Sequence, residues 1–288
     1  MATPAILADQ LTYRYGTLLA VDAISFAVNP GEVVGFLGPN GAGKSTTVKM
    51  LTGQLRPVAG RAAIMGIDVA TQPKQAQAKI GVCFEQTNLY EALSGTENLR
   101  LFANLFGVRN FDAGALLRRV GLEGRGGDKV EGYSKGMKQR LMVARALVSQ
   151  PQVLFLDEPT EGLDPTSAQA IRQLIREEQA RGTTVFLTTH DMHEADLLCD
   201  RVAFIDQGRI VALDTPHALK QQYGQRMVRA EVVGPGGALA EREILLDQDE
   251  TPEALASLFS SERVVTIHSA EATLEDIFIR ITGRGLAR

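Results

Sequence analysis

Residues Gly38–Thr46 read GPNGAGKST and directly follow an apolar run, Val33-Val34-Gly35-Phe36-Leu37. The spacing is G-x-x-x-x-G-K-[ST], set where a buried strand should end and a helix begin. Gly38, Gly41 and Gly43 let the backbone curl tightly enough for successive N–H groups to face phosphate oxygens. Lys44 can then reach the β- and γ-phosphates, and the Ser45 hydroxyl can ligate Mg²⁺. A predicted helix from about Ser45 to Leu55 aims its positive end at the same anion. A glycine-rich turn that happens to carry a lysine is the plainer alternative, and the strand–loop–helix context argues against it. The expectation is a chain that binds a nucleoside triphosphate.

With 288 residues, 44% of them hydrophobic, the chain has material for one large α/β domain and a smaller appendage. A net charge of −4 leaves no basic footprint for nucleic acid. Cys83 and Cys199, the two cysteines, form no C-x-x-C pair and read as reduced core residues of a cytosolic protein. No apolar stretch reaches the roughly 18–20 residues that a bilayer crossing needs. The N-terminus also lacks a charged-then-apolar signal pattern. A soluble protein able to dock on a membrane protein is expected.

Strand-like runs at Ala5–Tyr13 and Leu18–Val28 come first, with turns at Tyr15–Gly16 and Asn29–Gly31. Helical spacing takes over at Thr96–Val108, behind Thr96 as N-cap, with Leu99, Phe102, Ala103 and Phe106 on one face. Further helices are predicted at Asp112–Val120 and at Lys135–Ser149, the latter with Met137, Leu141, Ala144 and Leu147 inward. Residues of about 88–150 therefore read as a helical insertion. Alternation resumes with the buried strand Val153–Leu156, a helix Pro165–Arg181 capped by Asp164, and strands Thr184–Thr189 and Arg201–Asp206. A break near 214–225 separates a domain 1–222 from a small α+β domain 223–288. In the latter, strands Met227–Val233 and Glu243–Asp247 flank the loop Gly234–Gly237, before a helix Pro252–Ser260, a strand Val264–His268 and a helix Leu274–Ile281.

Val153–Leu156 runs into two adjacent carboxylates, Asp157 and Glu158. The chain turns at the strand end, so the two acids can serve different tasks. Asp157 is positioned to hold Mg²⁺ through its water shell, and Glu158, one residue further out, to polarise an attacking water. An acidic strand terminus in solvent is common, but the upstream phosphate loop favours the chemical reading. His190 closes the strand Thr184–Thr189 and can donate a hydrogen bond to a γ-phosphate. Gln86, after Ile80–Phe84, can place an amide near Mg²⁺ and the water. Tyr15 can stack on an adenine ring, or serve as a core aromatic beside Tyr13. Ser134 reads as the N-cap of the helix that follows, a second phosphate-binding helix start suited to a nucleotide held by another molecule.

Taken in this order, the residues resemble the ATP-binding cassette (ABC) family over roughly residues 5–215. GPNGAGKST is similar to its Walker A loop, VLFLDEP to its Walker B strand and Gln86 to its Q-loop glutamine. YSKGMKQ is similar to its signature, EGLD to its D-loop and TTHD to its switch histidine. GVCFEQTNLY, YSKGMKQRL and ATLEDIFIRITGR resemble more closely the ATPase subunits of type-2 bacterial exporters, the drug-resistance-like branch. The signature departs from LSGGQ: Tyr133 replaces leucine, Lys135 the first glycine and Met137 the glutamine, while Ser134 and Gly136 remain.

The resemblance implies an α/β fold: a P-loop NTPase cassette with a RecA-like mixed sheet and a helical subdomain, plus the small C-terminal α+β unit. It implies ATP against Tyr15, Gly38, Asn40, Gly41, Ala42, Gly43, Lys44, Ser45 and Thr46, and Mg²⁺ at Ser45, Gln86 and Asp157. Glu158, His190 and Gln86 would carry catalysis. Ser134, Gly136 and Asp164 would complete the nucleotide contacts from a second copy, head to tail in a homodimer. It further implies an exporter ATPase on the cytoplasmic face of the cell membrane, driving a separate polytopic permease docked near Gln86 and Leu89–Leu99. A soluble cassette acting on nucleic acid or ribosomes is the alternative, disfavoured by a single Walker A and no heptad run. A GTPase would need N-K-x-D, a kinase leaves the signature helix unexplained, and Glu158 and His190 disfavour a non-catalytic binding module.

Overall fold

The computed structural model describes residues 3–225, 227–234, 237–246 and 248–283, and they divide between Leu213 and Asp214 into two units. The first unit opens with β1 (Ile6–Tyr15) and β2 (Leu18–Val28), whose buried positions alternate with open ones, as in a sheet covered on one face. β3 (Val33–Leu37) is buried at all five positions and leads through the glycine loop into α1 (Lys44–Leu51). β4 (Ala59–Ile64), β5 (Ile67–Asp68), the short α2 (Pro73–Gln77) and β6 (Ile80–Cys83) follow. The helical insertion contains α3 (Gly95–Leu105), α4 (Ala113–Arg119) and α5 (Lys135–Ala146). Alternation then resumes through β7 (Val153–Asp157), α6 (Pro165–Ala180), β8 (Thr184–Thr189), α7 (Met192–Leu198), β9 (Arg201–Asp206) and β10 (Arg209–Asp214).

Two sheets result. The first, β2-β1-β4-β5, is antiparallel. The second runs β10-β9-β3-β8-β7-β6, and its β9, β3, β8, β7 and β6 are mutually parallel. Parallel strands covered on both faces read as continuous apolar runs, which is why β3, β7 and β8 are buried end to end. Phe26 of the first sheet packs on Phe36 and Phe186 of the second, with ring centroids 5.6 and 5.8 Å apart. Fully burying one such ring contributes roughly 1.5–3 kcal/mol. Register does the rest: Leu37 sits beside Thr189 and Asp157 beside Thr188. The C-terminal ends of β3, β7 and β8 thus open on one edge, bringing together residues more than a hundred positions apart.

Several boundaries differ from expectation. The cap of α3 is Ser94, not Thr96: its hydroxyl accepts from Glu97 N–H, and Glu97 reaches back to the Ser94 N–H, a closed capping box. The helix stops at Leu105, so Phe106 becomes its exposed C-terminal neighbour rather than part of the inward face. Helix α1 ends at Leu51, four residues early, where Gly53 turns left-handed at φ 76°.

In the second unit, α8 (Pro216–Tyr223) precedes β11 (Met227–Val233), β12 (Leu239–Leu245), α9 (Thr251–Ser261), β13 (Arg263–Ala270) and α10 (Leu274–Thr282). The strands form an antiparallel sheet, β12-β11-β13, with Ala230 and Val232 buried beside Leu258 of α9. Arg280 of α10 donates to the Tyr223 carbonyl at 2.9 Å, tying α8 to this unit. The break therefore lies ahead of α8, earlier than a boundary at residue 222. β12 ends at Leu245, and the Asp247 expected to close it, like Pro235 and Gly236 of the predicted loop, lies outside the described residues. Among the described residues no helix is long and apolar enough to cross a membrane.

Candidate active site

The glycine loop is held by close backbone packing. A side-chain carbon at Gly38 would lie 2.2 Å from the Ile205 carbonyl oxygen, and Gly43 takes φ 110°, so neither position accepts a larger residue without moving the loop. Ala42 is buried beneath the loop, with its carbonyl accepting from Gly208 N–H at 2.9 Å. Helix α1 starts at Gly43 with no side-chain cap. Its first-turn N–H groups are thus left to an outside acceptor, the arrangement of an anion site.

Lys44 and Glu158 meet in this edge. The Lys44 Nζ donates to the Gly38 carbonyl at 2.7 Å and lies 3.2 Å from Glu158 Oε1. The other carboxylate oxygen, Oε2, lies 3.0 Å from His190 Nδ1 and accepts from the His190 N–H at 3.3 Å. Glu158 sits just past the end of β7 at φ 49°, and its N–H donates to the Thr188 carbonyl at 3.1 Å. Its neighbour Asp157 turns the other way: Oδ1 accepts from Ser45 Oγ at 3.3 Å and from the Thr188 hydroxyl. The two acids are therefore separated by the strand end, one facing the lysine and histidine, the other facing the serine.

A cleft of about 410 Å³ opens over these groups, walled by Asn40, Gly41, Lys44, Ser45, Thr46 and Glu158, with Tyr15 and Leu18 of the β1–β2 hairpin at one side. Tyr15 is 46% exposed and rests edge-on against Tyr13, centroids 4.9 Å apart. It is thus both cleft wall and partner of Tyr13. Gln86 is exposed in the loop after β6, and Glu85 beside it, not Gln86, borders the cleft. Burial, and then the charges of Asp157, Glu161 and Glu158, raise the Glu85 pKa, while Lys44 lowers it. Sequence reading also passed over Thr188, whose hydroxyl orients Asp157. Its place directly beside Asp157 comes from the pairing of β7 with β8, which the sequence alone does not display.

Ser134, Gly136 and Asp164 do not border this cleft; they gather elsewhere. Ser134 caps α5 by accepting from Met137 N–H at 3.2 Å, and Asp164 caps α6 by accepting from Ser167 N–H at 2.9 Å. Hydrogen bonding from the Ser167 side chain, and then from its N–H, holds the Asp164 carboxyl below the usual carboxylate range. The two helix starts touch at Gly136, where a side-chain carbon would fall 2.4 Å from Ser167 Oγ.

Comparison with known proteins agrees with this arrangement. The model of the ABC transporter family matches residues 21–161. A fluoroquinolones export ATP-binding protein of Mycobacterium tuberculosis is 47% identical over 288 residues, covering 99% of this chain and 96% of that protein. A daunorubicin resistance ATP-binding protein of Streptomyces coeruleorubidus is 39% identical over 297 residues, with 99% and 91% covered. Among solved structures, a dimeric ATP-binding cassette in a post-hydrolysis state with ADP and Pi superposes with a TM-score of 0.66 at 27% identity, over 73% of this chain and 98% of that one. With a phosphate loop, a strand-end acid and a histidine converging on one cleft, and relatives matched along nearly the whole length, the chain belongs to the ABC transporter family as an ATP-binding, ATP-hydrolysing subunit.

Proposed function

We propose that this chain powers export through a separate membrane permease, binding ATP between two copies and reopening when it is hydrolysed. The observation that carries this reading is the double grip on Glu158, by Lys44 at 3.2 Å and His190 at 3.0 Å. A γ-phosphate entering the cleft competes for both partners of Glu158. Lys44 and His190 then turn to phosphate oxygens, and Glu158 is released to polarise the attacking water. Asn40, Gly41 and the uncapped start of α1 receive the remaining phosphate oxygens, and Tyr15 supplies a ring for the base.

Mg²⁺ fits the same edge. Ser45 and Asp157 bring a hydroxyl and a carboxylate together, the oxygen donors a hard cation takes alongside phosphate. Among the described residues no group of three or more His, Cys, Asp or Glu is placed to hold a metal ion. Bound there, the ion would neutralise charge on the β- and γ-phosphates.

Ser134, Gly136 and Asp164 lie away from the Lys44 cleft, so their nucleotide is the one held by a second copy. Head-to-tail pairing by a two-fold axis makes both sites equivalent. The dimeric cassette with ADP and Pi supports this pairing. For the permease, a second cleft of about 620 Å³, walled by Phe84, Tyr90, Phe102, Phe106 and Arg145, offers an apolar seat beside the Gln86 loop. Tyr90 and Phe106 are more than half exposed there, an unusual patch for a surface with no partner. The name of the fluoroquinolones export relative supports export as the direction, and the proposed place of work is the cytoplasmic face of the cell membrane. Purification of the tagged chain from its own membranes tests the reading. A polytopic membrane protein of about six apolar spans should accompany it; recovery of RNA or DNA instead would overturn it.

A further inference from the structure

Glu194 lies in the first turn of α7 and is 3% exposed. Its Oε2 accepts from the Thr160 hydroxyl. Its Oε1 is buried with no hydrogen-bond partner, 3.6 Å from Arg172 Nη1 of α6. Such a carboxylate is expensive to keep: burial, the largest effect, and the nearby Asp191 raise its pKa, while Thr160 and Arg172 lower it. An apolar residue would fill this space at less cost, so the acid answers a need other than packing.

The need is visible in what Thr160 and Glu194 join. Thr160 lies two residues beyond Glu158, and Glu194 four beyond His190. Up to the strand ends, β7 and β8 are held in register by their ladder, with Asp157 beside Thr188. Past that point the two segments diverge into different loops. Glu158 and His190 touch across the gap, and the Thr160–Glu194 bond closes it again further out. Arg172 extends the link to α6, the helix that Asp164 caps.

We propose that Glu194 is a positioning residue for ATP hydrolysis, fixing through Thr160 the geometry between the Glu158 loop and the His190 loop. It touches neither nucleotide nor water. The inference rests on the reading of Glu158 and His190 as the hydrolytic pair, and concerns how they are kept aligned once ATP draws Lys44 and His190 away from Glu158. At that moment the Glu158–His190 contact is lost, and the outer clasp is what retains their spacing.

The test is phosphate release by the purified full chain, with Glu194→Ala, Thr160→Val, their double variant and Thr160→Ser. Each of the first two should lower kcat roughly tenfold with KM for ATP within about twofold of wild type, the mark of an interaction that matters in the transition state. The double variant should be no slower than the slower single one, since both remove the same bond. Thr160→Ser, which keeps the hydroxyl, should recover most of the rate. Wild-type kcat in both single variants, or losses that multiply in the double, would overturn the proposal. If Glu194→Ala does not fold, the near-isosteric Thr160→Val against Thr160→Ser decides alone. Glu158→Gln serves as reference. Should it turn over normally, the underlying reading fails; should it be inactive while Thr160→Val and Glu194→Ala keep full kcat, only the present inference fails.

Discussion

The Lys44 ammonium lies 3.2 Å from the Glu158 carboxylate, and each side chain is only 6% exposed. On the proposed reading, the residue that would bind phosphate and the residue that would activate water hold each other until a nucleotide separates them. Their coupling makes their substitutions unequal.

Glu158→Gln keeps the shape and loses the base. Turnover should fall at least about a hundredfold, since general base catalysis contributes ~10²–10⁴. ATP should stay bound, because Gln still fills the site. With saturating ATP and Mg²⁺ the variant should sediment as a dimer. A strictly monomeric light-scattering profile would count against the paired arrangement.

Lys44→Ala acts twice. It removes the phosphate ligand, so ATP affinity should fall by an order of magnitude or more, read by equilibrium binding. It also strands Glu158, and removing one partner of a buried pair costs about 3–5 kcal/mol. His190, 3.0 Å away, offsets part of that. Thermal stability without nucleotide should therefore drop, and Lys44→Ala/Glu158→Gln should be more stable than Lys44→Ala.

Gly136→Ala tests the junction of the two helix starts. The added carbon would fall 2.4 Å from Ser167 Oγ and 3.0 Å from its Cβ. Overpacking of this kind costs ~1–3 kcal/mol. Melting should move down by several degrees, and Ser167→Ala in the same chain should restore part of the loss. Restoration in melting without restoration of ATP-driven dimerisation would place the remaining defect at the partner's nucleotide.

The cysteines give a pH signature. Burial pushes the Cys83 thiol up to about 12, and Cys199 is raised by the same cause. For a thiol raised on folding, the folded chain holds more protons than the unfolded one at alkaline pH. The stabilisation is complete below the ordinary thiol range near 9 and is lost as pH climbs from there towards 12. Urea midpoints should fall over that window, less steeply in Cys83→Ala/Cys199→Ala. Neither thiol should react with iodoacetamide at pH 8 until the chain unfolds; fast native labelling would refute the burial argument.

Phe106→Asp places a charge in the apolar seat beside Tyr90, which shares no lining residue with the ATP cleft. Hydrolysis by the isolated chain should stay near wild type. Co-purification with the permease should be lost. Retained co-purification would move the docking face elsewhere.

Much of this arrangement was legible in the residues alone. β2, β3, β8 and β9 fall where alternation or a mostly apolar run put them, because a strand covered on both faces is built largely of apolar residues. Lys44, Ser45, Asp157, Glu158 and His190 were readable because each ends or follows such a strand. β4 was not legible: AGRAAI has one β-branched residue and owes its place to pairing with β1. Thr96 looked like a cap because its hydroxyl suits one; the reciprocal bond from Glu97 to Ser94 decides the matter, and that is a three-dimensional fact. Glu85 displaced Gln86 at the cleft for a similar reason, since the way a loop leaves its strand is set by packing. Glu194 was passed over as one of many helix acids, and only its burial against Thr160 singles it out.

The left-handed bend at Glu158 has a consequence for what can stand there. An L-residue in that region costs roughly 1–2 kcal/mol, so the ribbon itself, not a choice of rotamer, points the acid. Glutamine inherits this bearing intact. Aspartate would inherit it too, yet stop one methylene short of both its neighbours, while glycine would ease the bend and leave the next residues without a heading. For the shape of this corner the charge of the head group can be given up, at the expense of the chemistry; its reach and its launch angle cannot.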